Sequence, residues 1–294
     1  MTALERRQLS RDLSALANAS VAEALKLQQA RNAVCALVGI TGPAGAGKST
    51  LIAKLARFRV TDLPLAIVAI DPSSPLSGGA ILGDRIRMME LADDPRIYIR
   101  SLATRSSCDG LADNLPSILN RIARAGFAEI LLETTGVGQV EYAIRWMVDT
   151  MVLVLTPGAG DQVQAMKSGI VETSDVVVIN KSDQPGAEQL AREIQAVIRY
   201  REKGPVDWVP PVLMTRADNS SGLSELSATI DAHRKAISSA QRTNRIRSWQ
   251  TLLVSSLIAR RSDELLSRLS AEDIARPLPE LFDKVARAMG ETSS

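Results

Sequence analysis

AVCALVGI at positions 33–40, then Thr41, then Gly42-Pro43-Ala44-Gly45-Ala46-Gly47-Lys48-Ser49-Thr50 is the stretch on which the fold turns. A short apolar run of strand length leads directly into a full G-x-x-x-x-G-K-[ST] loop, and residues 49–57 behind it read as a helix. Glycines let the backbone wrap closely around a phosphate, so that successive N–H groups and the start of the following helix face a polyanion. In this geometry Lys48 reaches the β- and γ-phosphates and the Ser49 hydroxyl ligates Mg2+. The loop alone says nucleotide phosphate; it names neither base nor reaction.

Working outward, six further apolar runs have the length of buried strands: 65–70, 96–101, 129–134, 151–156, 176–180 and 209–214. Segments 111–125 and 187–201 between them read as helices. Strand and helix alternate, which predicts an α/β fold: a mainly parallel P-loop NTPase sheet with helices on both faces. Residues 3–31 carry leucines at a spacing nearer the helical period than strict alternation, and read as one or two amphipathic helices. From about His233 the strands stop, and 233–270 read as one helix with seven Arg and one Lys on its polar positions and Trp249, Leu252, Leu253 and Leu257 on its apolar ones. The expected organisation is an N-terminal helical extension (1–32), a nucleotide domain (33–232) and a C-terminal helical arm (233–294). The arginines of the arm alternate with acidic and apolar residues, so it reads as a packing or dimer surface rather than a nucleic-acid stripe.

Bulk properties narrow the class. The chain has 294 residues, 45% hydrophobic and 23% charged, with a formal charge of +2. That is the balance of a globular protein, and it supplies no strong field to recruit nucleic acid or anionic lipid. Cys35 and Cys108 are the only cysteines, which excludes a disulfide framework. Cys35 lies inside an apolar run and reads as a buried thiol. The first twenty residues contain no apolar signal core and no stretch reaches the roughly 18 apolar residues of a membrane span, so a cytoplasmic protein is expected.

The sixth run ends in Asn180-Lys181-Ser182-Asp183, an N-K-x-D motif at the carboxyl end of a strand, where open α/β sheets bind ligands. A carboxylate there accepts from guanine N1–H and N2–H2 together. Adenine offers neither donor in that geometry and would leave the acid unmatched, so the motif selects guanine. A second base contact is expected from Thr215-Arg216-Ala217 after the last run, where the Ala217 N–H can donate to guanine O6. Arg216 stands where such loops normally carry Ser.

Three carboxylates are candidates for metal and water. Asp71 closes the second run, Asp84 sits in a glycine-flanked loop and Glu133 closes the fourth run. A Mg2+-triphosphate site needs such oxygens to hold the metal's waters and orient the attacking one. Gly136 can present its N–H to the γ-phosphate, which makes residues 133–141, with Gln139, a sensor of GTP against GDP.

Taken together, GPAGAGKST, DPSSPLSGGAILGDRIRM, IRSLATR, ETTGVGQVE, PGAGDQVQAMKSGI and NKSD resemble the MeaB/ArgK family of GTPases, over about residues 38–183. The resemblance implies GTP hydrolysis with Mg2+ in service of an adenosylcobalamin-dependent acyl-CoA mutase such as methylmalonyl-CoA mutase, whose cofactor loading and protection the family assists. It implies catalytic roles for Lys48, Asp71, Asp84 and Glu133, metal contact for Ser49, Asp71 and Glu133, guanine reading by Asn180, Lys181 and Asp183, and a homodimer. Segment 157–167, with Asp161 and Lys167, corresponds to a switch that transmits the partner's presence. The sequence departs from the family at 106–110 and in both terminal arms. Alternative readings are a P-loop kinase or ATPase linked to arginine/ornithine transport, as some members have been described, and a metal-delivery GTPase. The latter sits poorly with one His and two Cys.

Overall fold

A computed structural model describes residues 1–27, 35–60, 63–72, 91, 93–104, 114–134, 144–158, 169–199 and 208–290, with the side chains of 71, 72 and 104 outside the description. Seven strands form one sheet: β1 (Ala36–Thr41), β2 (Leu65–Pro72), β3 (Ile97–Thr104), β4 (Glu129–Glu133), β5 (Thr150–Leu155), β6 (Val176–Ile179) and β7 (Val212–Met214). Their order is β3-β2-β4-β1-β5-β6-β7, and each neighbouring pair is parallel. All seven expected runs are strands, within a few residues at their ends.

The strands are apolar on both faces because both are covered. Val38, Ile40, Ile67, Leu131, Val152, Val154 and Val178 join one core cluster with Leu51, Ile52 and Leu55 of α3 (Lys48–Arg59) and Leu226 and Ile230 of α7 (Leu223–Ala236). The intervening residues Leu37, Val68, Ile130 and Leu132 face the opposite cluster with Leu9 and Leu13 of α1 (Ala3–Asn18), Ile118 and Ile122 of α4 (Leu115–Ala123), and Trp249. The period of two along each strand thus sorts side chains between two helical layers. A third cluster places α5 (Ile170–Thr173) and α6 (Ala187–Arg199) on β5 and β6.

The N-terminal extension is two helices, α1 and α2 (Val21–Leu27). The helix expected across 233–270 is instead divided: α7 runs through position 233, and α8 (Ser239–Leu266) begins after Ser238. The break has a local cause. Ser238 is a capping-box residue whose Oγ accepts from the Gln241 N–H at 3.2 Å while the Gln241 side chain accepts from the Ser238 N–H at 3.0 Å. Two short helices follow, α9 (Ala271–Ile274) and α10 (Leu278–Gly290). Cys35 is buried, as its apolar context indicates; Cys108 and segment 106–110 lie outside the described residues.

The amino edge of the sheet is tied by a buried carboxylate. Asp175, just before β6, accepts from the Met151 N–H at 2.8 Å and from Arg145 Nη2 at 2.9 Å, and lies 3.2 Å from His233 Nε2 and 3.8 Å from Arg245 Nη2. The His233 ring also meets the Thr150 hydroxyl at 2.9 Å, so the lone histidine is a structural residue joining α7 to β5 and β6. Burial by itself raises the Asp175 carboxyl, but the His233 hydrogen bond and the charges of Arg145 and Arg245 overcome it and hold the group below its ordinary range. A lowered folded-state pKa stabilises the fold above the unfolded value of about 4, and that contribution disappears as pH falls through the folded value. Asp175→Asn is therefore expected to lower stability at pH 7 by about 3 kcal/mol. In urea unfolding followed against pH, the deficit should shrink below pH ~4; a deficit unchanged across that range would contradict the assignment.

Candidate functional site

Because every strand runs the same way, the carboxyl ends of β1, β4, β6 and β7 lie on one edge, with β1 between β4 and β5. The loop after β1 is bent by two glycines whose backbone conformations other residues rarely adopt. Gly42 has φ 144°, and a Cβ there would lie 1.9 Å from the Val154 carbonyl oxygen; Gly47 has φ 83°, and its Cβ would lie 2.5 Å from Asn180 Nδ2. Gly47 is also the N-cap of α3. Having no side chain, it leaves the first-turn amides of the helix facing outward.

The loop carbonyls are taken by side chains. Lys48 Nζ donates to the carbonyls of Gly42 at 2.7 Å and Pro43 at 3.0 Å. Asn180 Nδ2 donates to the Ala46 carbonyl at 2.8 Å and Lys181 Nζ to that of Gly45 at 2.9 Å. With its oxygens held in this way, the loop can turn its N–H groups toward an anion. Lys181 is itself in the left-handed region at φ 55°, a conformation that costs a non-glycine residue about 1 kcal/mol and turns the NKSD segment sharply off β6.

Ser49 Oγ donates to Glu133 Oε1 at 2.7 Å, and both residues are buried. Thr134 continues the same layer, donating through Oγ1 to Thr41 Oγ1 at 2.9 Å and through its N–H to the Ile40 carbonyl at 3.1 Å. Asp71 is the penultimate residue of β2, paired in register with Ala103, so its backbone lies on the same carboxyl edge. The donor set around Ser49 is hard oxygen, the kind that suits Mg2+ with phosphate rather than a soft metal. Asp84, Gly136, Gln139, Asp161 and Lys167 lie outside the described residues.

Beside the loop, a cleft of about 230 Å3 is lined by Gly47, Thr50, Lys181, Asp183, Arg216 and Ala217 among others. Its floor is fixed by Asn180, whose Oδ1 accepts from Thr215 Oγ1 at 3.2 Å and from the Ala217 N–H at 3.4 Å. The Ser182 N–H reaches the Thr215 carbonyl at 3.1 Å. The NKSD and Thr215-Arg216-Ala217 segments are thus one hydrogen-bonded unit, brought together by the pairing of β6 with β7. Asp218, which the sequence did not single out, binds Arg216 with Nε–Oδ1 at 2.8 Å and Nη2–Oδ2 at 2.9 Å.

A family model described as methylmalonyl Co-A mutase-associated GTPase MeaB matches residues 12–273. The chain belongs to the MeaB family. As a member it is a GTPase, a P-loop nucleotide-binding protein of a group that uses Mg2+ with its nucleotide. A Pyrococcus abyssi protein named as a GTPase is 42% identical over 251 residues, covering 82% of this chain and 76% of the relative. GTPase ArgK of Escherichia coli is 31% identical over 240 residues, covering 80% and 72%. The mitochondrial methylmalonic aciduria type A homolog of Mus musculus is 39% identical over 198 residues, covering 66% and 48%. A crystal structure titled LAO/AO transport system kinase superposes with a TM-score of 0.61 over 99% of both chains at 20% identity, which is a likeness of fold.

The tie between the two nucleotide segments is directly testable. Gly47→Ala places a methyl group against Asn180 Nδ2 in a strained backbone, and should weaken GTP binding in calorimetry by at least about tenfold, a loss of ~1.4 kcal/mol. Binding as tight as in the parent protein would mean that Asn180 does not set the loop.

Proposed function

We propose that this MeaB-family GTPase uses GTP binding and hydrolysis to assist cofactor loading and protection of an adenosylcobalamin-dependent acyl-CoA mutase. The observation that carries the site assignment is the pair of bonds from Asn180 and Lys181 to the phosphate-loop carbonyls of Ala46 and Gly45. They hold the NKSD segment against the loop after β1, which supports a single nucleotide meeting both. The mutase enters through the family, whose description names the methylmalonyl-CoA mutase, and through the mouse relative named for methylmalonic aciduria.

In this reading the loop of residues 42–50 surrounds the α- and β-phosphates with its N–H groups, Pro43 having none, and Lys48, two of whose ammonium hydrogens serve loop carbonyls, offers the third to the β- and γ-phosphate oxygens. Ser49 Oγ would be a Mg2+ ligand, and the metal would supply charge neutralisation to the phosphates. Glu133, hydrogen-bonded to Ser49, and Asp71 on the neighbouring strand hold the water around that position, with Asp84 as a third carboxylate. Asp183 takes the guanine N1–H and N2–H2 donors, while Asn180, Lys181, Thr215, Arg216 and Ala217 form the walls of the base cleft. Gly136 and Gln139 sense the γ-phosphate, and Asp161 and Lys167 pass the partner's state to it. The partition into 1–32, 33–232 and 233–294 makes the terminal helices the place where a homodimer or the mutase would meet the nucleotide domain. The protein acts in the cytoplasm. Among the described residues, no helix is long and apolar enough to cross a membrane.

Purified protein should bind GTP orders of magnitude more tightly than ATP, with Asp183→Asn erasing most of that preference and Lys48→Ala abolishing turnover. Equal affinity for the two nucleotides would remove the base assignment, and normal turnover by Lys48→Ala the phosphate one. The client assignment is tested by adding purified adenosylcobalamin-dependent methylmalonyl-CoA mutase: its GTP-dependent capture and a rise in GTP turnover are expected, and neither effect would remove the mutase.

A further inference from the structure

Arg216 occupies a peculiar electrostatic position. Its guanidinium is shared between two carboxylates, held closely by Asp218 through Nε at 2.8 Å and Nη2 at 2.9 Å and more loosely by Asp183, whose Oδ1 lies 3.6 Å from Nε. Among the described residues Arg216 is the charged partner of Asp183. All three side chains line the base cleft, and all are substantially exposed: 39% for Arg216, 43% for Asp183 and 62% for Asp218. The turn that carries the arginine is well defined. The Arg216 N–H donates to the Ser221 carbonyl at 3.0 Å, the Asn219 side chain accepts from the Ser221 N–H at 3.0 Å, and the Asn219 N–H donates to Asp218 Oδ1 at 2.9 Å.

A carboxylate that recognises guanine must offer its oxygens to two ring donors at once. A guanidinium offers the same oxygens a geometrically similar pair of N–H donors, with a full positive charge added. Arg216 and guanine are therefore rival partners for Asp183. What keeps the rival at 3.6 Å instead of in contact is the two-pronged hold of Asp218.

We propose that Arg216 is a specificity-determining residue that competes with the base for Asp183, with Asp218 holding it back, so that this trio sets how tightly the guanine nucleotide is kept. The proposal rests on the assignment of Asp183 as the guanine acceptor. It also gives a role to an arginine at a position where small hydroxyl residues are usual: a side chain that neither donates to nor stacks on the base, but moderates its residence.

The test is a set of exposed-site variants measured by GTP, GDP and ATP titration and by nucleotide release rates. Arg216→Ala removes the rival and should tighten GTP and GDP about threefold and slow GDP release, with ATP unchanged. Asp218→Ala frees the guanidinium to close on Asp183 and should weaken both guanine nucleotides by about the same factor, these being the effects of partly screened charges. Combining Arg216→Ala with Asp183→Asn should abolish the gain. A loss of GTP affinity in Arg216→Ala would mean that the arginine holds the base, and no change in either single variant would reduce the trio to a surface ion pair; either result overturns the proposal. Tightening of GTP and ATP alike would place the effect on the phosphates and overturn it as well. Should Asp183→Asn alone bind GTP as the parent does, the underlying base assignment fails, whatever the arginine variants do.

Discussion

The structure depends on carbonyl oxygens being removed from the inside of one loop. A turn that is to bind phosphate must present amides and hide its oxygens, which would otherwise repel the anion. Here four carbonyls between Gly42 and Ala46 are each claimed by a side chain, two by Lys48 and one each by Asn180 and Lys181. The last two come from a segment more than 130 residues away in sequence. The NKSD segment therefore shapes the loop after β1. Under the proposed base assignment, selectivity and phosphate binding would share those bonds.

The parallel sheet makes that possible. Placing β4 and β5 on either side of β1 sets Glu133 next to Ser49 and lets Gly42 press against the Val154 backbone. Placing β6 and β7 together brings Thr215 and Ala217 onto Asn180. On the other edge, Asp175 collects Arg145, His233 and Arg245 from separate elements. A second ionic tie holds the helix behind the phosphate loop. Arg59 of α3 pairs with Glu129 of β4 at 2.7 Å and Asp231 of α7 at 2.8 Å, and both partners hold its guanidinium in the charged form against the effect of burial. α3 is thus tied at both ends, by Lys48 and Ser49 at its start and by Arg59 at its last residue.

The sheet was legible in the sequence because buried strands leave an unambiguous mark: short runs of Val, Ile and Leu between glycine, proline and charged residues. The phosphate loop and NKSD were legible because their residue types follow from local chemistry. The division between α7 and α8 was not read, since the apolar and basic pattern continues through it and only the Ser238–Gln241 cap reveals the break. Asp218 and Asp175 escaped notice for a different reason. A lone aspartate acquires meaning from what tertiary structure places beside it, and neither Arg216–Asp218 geometry nor the arginines around Asp175 can be derived from spacing.

Helix α8 belongs to two cores at once. Its Trp249 lies in the cluster under the sheet, while Leu253 and Leu257 pack with Ala19, Val21 and Ala24 at the other end of the chain. Arg260 of the same helix caps the Ala19 carbonyl at 2.8 Å, and Glu264 receives the Val21 N–H at 3.2 Å. These contacts join residues about 240 positions apart. At the roughly 5–20 residues per second of translation, the apolar side of α2 leaves the ribosome on the order of 10–50 seconds before its cover exists. During synthesis the sheet can assemble while α2 still waits for the long helix that covers it.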